Sequence, residues 1–542
     1  MARDLETDLQ TLNTVLTLAQ NRDFESAAAL AEKTLASGFE HPMLLNVLAT
    51  RLEQQGKFED SLRLLERAVA IAPGDVGARN ALSMCLQRLD RHQEAVHHLD
   101  ILLKKHPDLS FAHANMGNAL ISLGLLGQAQ QSHQRALESD PRNFVAMAAL
   151  GSIATHRGEH VEARQWAQRT LAISPGFPEA VLSLAAAELA DGATAQAETL
   201  LQKLIMDPRA GPSDRARATG LLGDVLDASG RYNEAFSAYA TCNEALRRIH
   251  QRFARGTSTL EYTRALITAV GSIAPGRWPT EPAPAATPAD PLEHVFLLGF
   301  PRSGTTLLEV ILDGHPQVAS LEEHELLADG VRRFMREPVN LQALAHADQG
   351  RLNTLRTAYW ESVRRAGIDV ADKVFIDKHP LNTLKLPLIA RMFPRAKILF
   401  ACRDPRDVVL SCFRRRFTMN SAMYELLTLE GAAAFYAAVM EFADRVRPLL
   451  GLSWHTVRYE YLVGNFEQEM AAICALLNLN RVAGMEDFAH RIGKRERATP
   501  STAQLVRGLS PSAVDGWRRY SWALEPILPL LNPWVERLGY RA

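Results

Sequence analysis

The chain has 542 residues, more than one compact core usually holds, so it reads as two or more domains. Apolar residues make up 47% and charged residues 22%, which excludes wholesale disorder. The 60 Lys+Arg against 61 Asp+Glu exclude a global basic field for nucleic acid. The opening MARDLETDLQ is charged where a signal peptide needs an apolar core, and no uncharged apolar run approaches the ~20 residues of a membrane helix. Cys85, Cys242, Cys402, Cys412 and Cys474 are widely spaced with no CxxC pair, which suits free thiols in a reducing compartment and spells out no metal site. The expectation is a soluble, cytoplasmic protein without metal and without a membrane segment.

In the first half, Pro73, Pro107, Pro141, Pro175 and Pro208 recur at intervals of 34, 34, 34 and 33. Each unit carries two amphipathic segments around a break, as in Ala112–Leu123 and Gln128–Glu138. Ala95, Ala129 and Ala163 recur in phase where one helix must approach its partner closely, as do Gly117 and Gly151. This pattern resembles the tetratricopeptide repeat, with about six units from residue 9 to 248 and a degenerate first one. Each helix pair leaves an apolar face that only a neighbour can cover, so the resemblance implies an all-α solenoid. Its concave face would hold a peptide or protein partner, or else the array serves only to space or stabilise the other half. From Gly271 to Pro291 six prolines and several alanines replace this pattern, which predicts an extended linker. The expected domains are a solenoid over 1–250, a helix end and linker over 251–291, and a second domain over 292–542.

After the linker, Val295–Leu298 is a short apolar strand and Thr306–Leu312 a helix with an apolar stripe. Between them Gly299-Phe-Pro-Arg302-Ser303-Gly304-Thr305-Thr306 has the glycine spacing of a phosphate-binding loop. Glycines allow the tight turn, and the loop amides then converge on an anion at the helix N-terminus. A nucleotide hydrolase places lysine after the second glycine, and here that residue is Thr305, which argues against an ordinary kinase or ATPase. Ala396–Cys402 is a buried-strand pattern ending at Arg403, with Ser411 eight residues on and Arg415 twelve residues on.

Together these two motifs resemble the 5′-phosphosulfate loop and the 3′-phosphate motif of sulfotransferases that use 3′-phosphoadenylyl sulfate (PAPS). The resemblance implies that Arg302, Ser303, Gly304, Thr305 and Thr306 hold one end of PAPS and that Arg403, Ser411 and Arg415 hold the other. Arg403 and Arg406 have a second reading, as salt-bridge partners of Asp404 and Asp407. The segment between the motifs, PRSGTTLL, an aspartate, His315-Pro and then Glu322-Glu323, resembles the protein-tyrosine sulfotransferase branch. That likeness implies Glu323 as the catalytic base, Leu326, Leu327, Ala328, Asp329 and Gly330 as acceptor-binding residues, Lys378 and Arg302 as catalytic cations, and Tyr459 as a nucleotide contact. Ser501, fifteen residues before Gly516-Trp517, matches a serine of the segment that closes over PAPS. His379 stands where the branch has an acid and Gly516 where it has a base, for which Arg518 or Arg507 could substitute. The likeness spans about residues 292–520.

The remaining residues carry blander expectations. His315 and His379 precede prolines and read as turn residues, with His379 a secondary candidate for the base and His324 a neighbour of the motif. Glu322 reads as a solvated or helix-start acid, and Trp517 and Tyr520 as core or lid residues. Arg414-Arg415-Arg416 is a solvated face, a phosphate contact through Arg415, or a surface for acidic acceptors. The expected second domain is an α/β parallel sheet with strands near 295–300, 374–378, 396–402 and 454–459. The expected reaction moves a sulfuryl group from PAPS, leaving PAP (3′-phosphoadenosine 5′-phosphate), to a tyrosine of a peptide or protein. An acceptor phenol has a pKa near ~10, so a carboxylate must take its proton. Two further readings stand: the same transfer to a carbohydrate, lipid or small phenol, and a scaffold that binds nucleotide without turnover, which Gly516 and His379 favour. Oligomeric state is not legible.

Overall fold

The computed structural model describes residues 5–21, 23–273, 278, 290–336, 341–486 and 514–541. The chain divides into two compact units, one running to Ala187 and one from Glu188. Helices pair regularly from Leu5 to Ile249, giving seven pairs among the described residues where about six were expected. The first pair, Leu5–Gln20 with Phe24–Ala36, stands where the degenerate first unit was expected, ahead of the first proline of the 34-residue series. The first five pairs lie in the first unit, and Thr194–Met206, Pro212–Ala228 and Tyr232–Ile249 belong to the second.

Close helix packing follows the repeated small residues. Ala95, Ala129 and Ala163 are fully buried. A Cβ at Gly151 would touch Trp166 Cβ at 3.3 Å and the Ala163 carbonyl at 3.6 Å. Gly117 is covered by the ring of His133, so a Cβ there would meet Nε2 at 2.4 Å. His133 is itself fully buried, and neither ring nitrogen has a hydrogen-bond partner.

In the second unit, a short helix, Thr259–Gly271, closes its N-terminus with a reciprocal capping box between Ser258 and Glu261 and packs on the long helix Leu429–Leu450. Most of the expected linker lies outside the described residues; Trp278 is buried in the same core. The sheet has five parallel strands, β1 (Glu293–Gly299), β2 (Val318–Glu322), β3 (Val374–Lys378), β4 (Lys397–Cys402) and β5 (Ser453–Arg458), in the order β2-β3-β1-β4-β5. β2 was not expected; it is five residues long, only half-buried at its start, and sits at the sheet edge. Both faces are covered: Phe296 and Leu298 enter one core, Val295 and Leu297 the other. That double burial explains why these strands read as continuous apolar runs.

Burial depresses the pKa of His133 to about 4, whereas an unfolded histidine titrates near 6.5. Between those values the unfolded chain binds more protons, so stability falls as pH drops. Going from pH 7 to pH 5 should cost the wild-type about 2 kcal/mol at this residue. Melting temperatures across that range should fall less steeply in His133→Leu than in the wild-type.

Candidate active site

Because all five strands are parallel, their C-terminal ends share one edge, and each sequence motif starts there. The loop 300–304 follows β1, Glu323 follows β2, His379 follows β3, Arg403 follows β4 and Tyr459 follows β5. The chain leaves β1 toward β2 and β3 and leaves β4 toward β5, so the crevice between β1 and β4 is the switch point where open α/β sheets bind ligands.

The β1 loop closes tightly over β4. Gly299 has φ +152°, and a Cβ there would lie 2.5 Å from the Ala401 carbonyl oxygen. Gly304 caps the Thr305–Leu312 helix at φ +99°, and its Cβ would lie 2.8 Å from the Tyr459 ring. Ser303, Thr305 and Thr306 are buried beneath this turn. Arg302 holds φ +72° and donates from Nε to Ser411 Oγ at 3.0 Å, tying the β1 loop to the helix after β4. Burial lowers the Arg302 pKa to about 9, with the nearby charges of Arg415 and Arg403 adding to the shift. Arg403 lies over the Tyr459 ring, 4.9 Å from its centroid, and reaches Asp407 at 3.4 Å. The two expected phosphate motifs thus meet, and three arginines crowd one crevice.

Asp407 also accepts the Trp517 N–H at 2.8 Å, while burial pushes its pKa up to about 6. The Gly516–Trp517 segment is therefore fastened beside Arg403. Arg406 does take the salt-bridge reading: both guanidinium arms hold Asp404, at 3.0 and 2.8 Å, and its face covers Trp517 at 4.0 Å. Trp517 and Tyr520 are buried core residues.

A second cluster forms where β2 and β3 end side by side. Lys378, fully buried, places Nζ 2.7 Å from Glu322, 2.9 Å from Glu323 and 3.6 Å from Glu309. Burial works against its charge, yet Glu322, Glu323 and Glu309 outweigh it and hold its pKa above the ordinary lysine value. Glu322 is thus a buried ion-pair partner, not the solvated acid expected, because β2 turns it toward Lys378. Glu309 had no warning in the sequence beyond being the one acid in the apolar helix TTLLEVIL; it also accepts from Ser320 Oγ at 3.0 Å. Glu323 has φ +49°, and its N–H donates to the Lys378 carbonyl at 2.7 Å. Its side chain remains 44% exposed, so a carboxylate anchored to a buried cation faces outward. Among described residues six non-glycine positions have positive φ; four are Asp or Asn, and the other two are Arg302 and Glu323. Backbone strain of this kind gathers at functional sites.

The other expected residues separate. Leu326, Leu327 and Gly330 are buried, Gly330 against Leu388, whereas Ala328 is half-buried and Asp329 exposed beside Arg332. His379 pairs with Glu325 at 3.2 Å, His324 contacts the Glu322 carbonyl at 3.0 Å, and His315 the Asn480 carbonyl at 2.8 Å. Arg414 and Arg416 are not a solvated face: they bond to Asp227 and Asp224 of the Pro212–Ala228 helix. Ser501 and Arg507 lie outside the described residues. No group of side chains among the described residues could hold a metal ion, and no described helix is long and apolar enough to cross a membrane.

Residues 294–482 match a sulfotransferase family, and residues 12–76, 52–116 and 114–178 match tetratricopeptide repeats. The chain thus joins a tetratricopeptide array to a sulfotransferase-family domain. An uncharacterized protein of Aquifex aeolicus is 27% identical over 429 residues, 75% of this chain and 52% of its own length, so this chain spans about half of that relative. Protein-tyrosine sulfotransferase 1 of Danio rerio is 26% identical over 264 residues, covering 45% of this chain and 72% of that protein. Among solved structures, a tetratricopeptide repeat protein from Parabacteroides merdae aligns at 17% identity and a TM-score of 0.36, over 44% of this chain and 92% of that one.

Removing the Lys378 charge would leave Glu309 and Glu322 buried without their cation. Lys378→Met should destabilise the protein by about 3–5 kcal/mol in urea unfolding, and adding Glu322→Gln should return part of that loss.

Proposed function

We propose that the sulfotransferase-family domain transfers a sulfuryl group from PAPS to the hydroxyl of a tyrosine in a peptide or protein, leaving PAP. The observation that carries this reading is Glu323, whose half-exposed carboxylate is held 2.9 Å from the buried Lys378 ammonium. The residues beside β1 and β4 suit a bisphosphorylated ligand. Glycines stand where a Cβ would strike Ala401 and Tyr459, and Arg415 and Arg403 add to the cost that burial puts on the charge of Arg302, a cost a bound anion would offset.

On this reading Arg302, Ser303, Gly304, Thr305 and Thr306 face the 5′ end, Arg403, Ser411 and Arg415 hold the 3′-phosphate, and Tyr459 lines the nucleotide. When bound, PAPS supplies an activated sulfuryl group, and no metal is needed. Glu323 takes the acceptor proton as the new oxygen–sulfur bond forms, which a phenol of pKa near ~10 requires at neutral pH. Lys378 aims that carboxylate. Arg302, Lys378 and the loop N–H groups oppose the negative charge that grows on the leaving phosphate oxygen as the old bond breaks. Ser501 is assigned a further donor role from its motif alone. Ala328 and Asp329 are the members of the expected acceptor stretch with surface to offer. The relatives named as protein-tyrosine sulfotransferases favour tyrosine, and the repeat array favours a polypeptide acceptor. Five buried free thiols fit the proposed cytoplasmic location.

Mass spectrometry of tyrosine peptides incubated with PAPS should show sulfated tyrosine with the wild-type chain. Glu323→Gln should lower that rate by about 10²–10⁴-fold while PAP affinity stays within about threefold. Transfer to sugars or small phenols but not to tyrosine would discard the acceptor. PAP binding with no transfer to any hydroxyl would discard the enzyme.

A further inference from the structure

We propose that the final pair of repeat helices is a working part of the nucleotide site, with Asp224 and Asp227 positioning Arg415 by clamping the arginines on either side of it. This rests on the reading of Arg415 as a contact to the 3′-phosphate.

The helix Pro405–Arg414 ends at Arg415, whose backbone is extended at φ −98°, ψ 141°. Arg414 is the last residue of the helix and Arg416 follows the single extended residue Arg415. Both are captured by the Pro212–Ala228 helix. Arg414 Nη2 donates to Asp227 Oδ2 at 2.7 Å, and Arg416 Nη2 donates to Asp224 Oδ2 at 2.5 Å. The two acids are three residues apart, one helical turn, and so lie on one face.

Each carboxylate has its second oxygen occupied as well. Tyr239 Oη donates to Asp224 Oδ1 at 3.0 Å, and Tyr520 Oη donates to Asp227 Oδ1 at 2.5 Å. From the next helix Asn243 Nδ2 donates to the Phe413 carbonyl at 2.9 Å. Gly220 leaves room for the clamp, since a Cβ there would lie 2.6 Å from Arg416 Cδ. This is a built interface, joined by two ion pairs and by a hydrogen bond to the Phe413 carbonyl.

Two carboxylates thus answer two of three consecutive arginines. Arg415 makes no ion pair or side-chain hydrogen bond with the described residues. It feels Arg302 from the β1 loop on one flank and Asp224 from the repeat on the other. The repeat helices therefore fix the backbone around a cation whose own charge is left for a ligand.

The test is calorimetric binding of PAP and of 5′-AMP, which lacks the 3′-phosphate, to the full chain and to Asp224→Asn, Asp227→Asn and Arg415→Gln. Asparagine keeps the size and one acceptor while removing the charge. Each variant should lose about tenfold or more in PAP affinity and stay within about threefold for 5′-AMP. Adding Arg415→Gln to Asp224→Asn should cost little more, as expected for residues acting through one contact. Equal losses for both nucleotides would reduce the clamp to a structural role and overturn the inference, as would unchanged PAP binding. If Asp227→Asn fails to fold, Asp224→Asn and Arg415→Gln decide the matter. Wild-type protein that binds neither nucleotide would bring down the functional reading, and this inference with it; wild-type binding with unaffected variants would bring down the inference alone.

Discussion

Everything in the second unit depends on five strands being hydrogen-bonded in parallel. Parallel pairing sends every strand's last residue to one edge, so groups scattered from Gly299 to Tyr459 become neighbours without any long-range signal in the chain. It also demands burial of both sheet faces, which is why the strands are apolar almost throughout and why polar chemistry begins only at their ends. The carbonyl of Ala401 pressing on Gly299 is the tightest expression of this constraint. Any side chain at that glycine would push β1 away from β4 and open the crevice in which the arginines meet.

Charge is sorted along that edge. Beside β1 and β4 lie Arg302, Arg403 and Arg415; beside β2 and β3 lie Glu309, Glu322 and Glu323 around one ammonium. Neither cluster is a stability device by design of its charges. Like charges are held together in the first, and three carboxylates share one lysine in the second. Such arrangements cost free energy that the surrounding core must offset. The two strained backbone positions, Arg302 and Glu323, fall one in each cluster. The cost is concentrated where chemistry can use it.

What could be read from the sequence was local. The turn at Gly299–Gly304 and the eight-residue step from Arg403 to Ser411 each lie within one loop or helix, so spacing alone reports them. The bond between Arg302 and Ser411 brings the two motifs to one place. What could not be read was tertiary. Glu309 looks like a misplaced acid until β3 brings Lys378 beneath it. Asp224 is 192 residues from its partner Arg416, and nothing in a repeat helix marks it as different. β2 is too short to declare a period. Ser501, identified from its motif, lies outside the described residues.

The one-turn spacing of Asp224 and Asp227 bears on how such a chain can change over evolutionary time. A single residue inserted between them would turn the second acid by about 100° around its helix. It would then miss its arginine. The final repeat is therefore locked in phase with the segment after β4, and its length cannot drift.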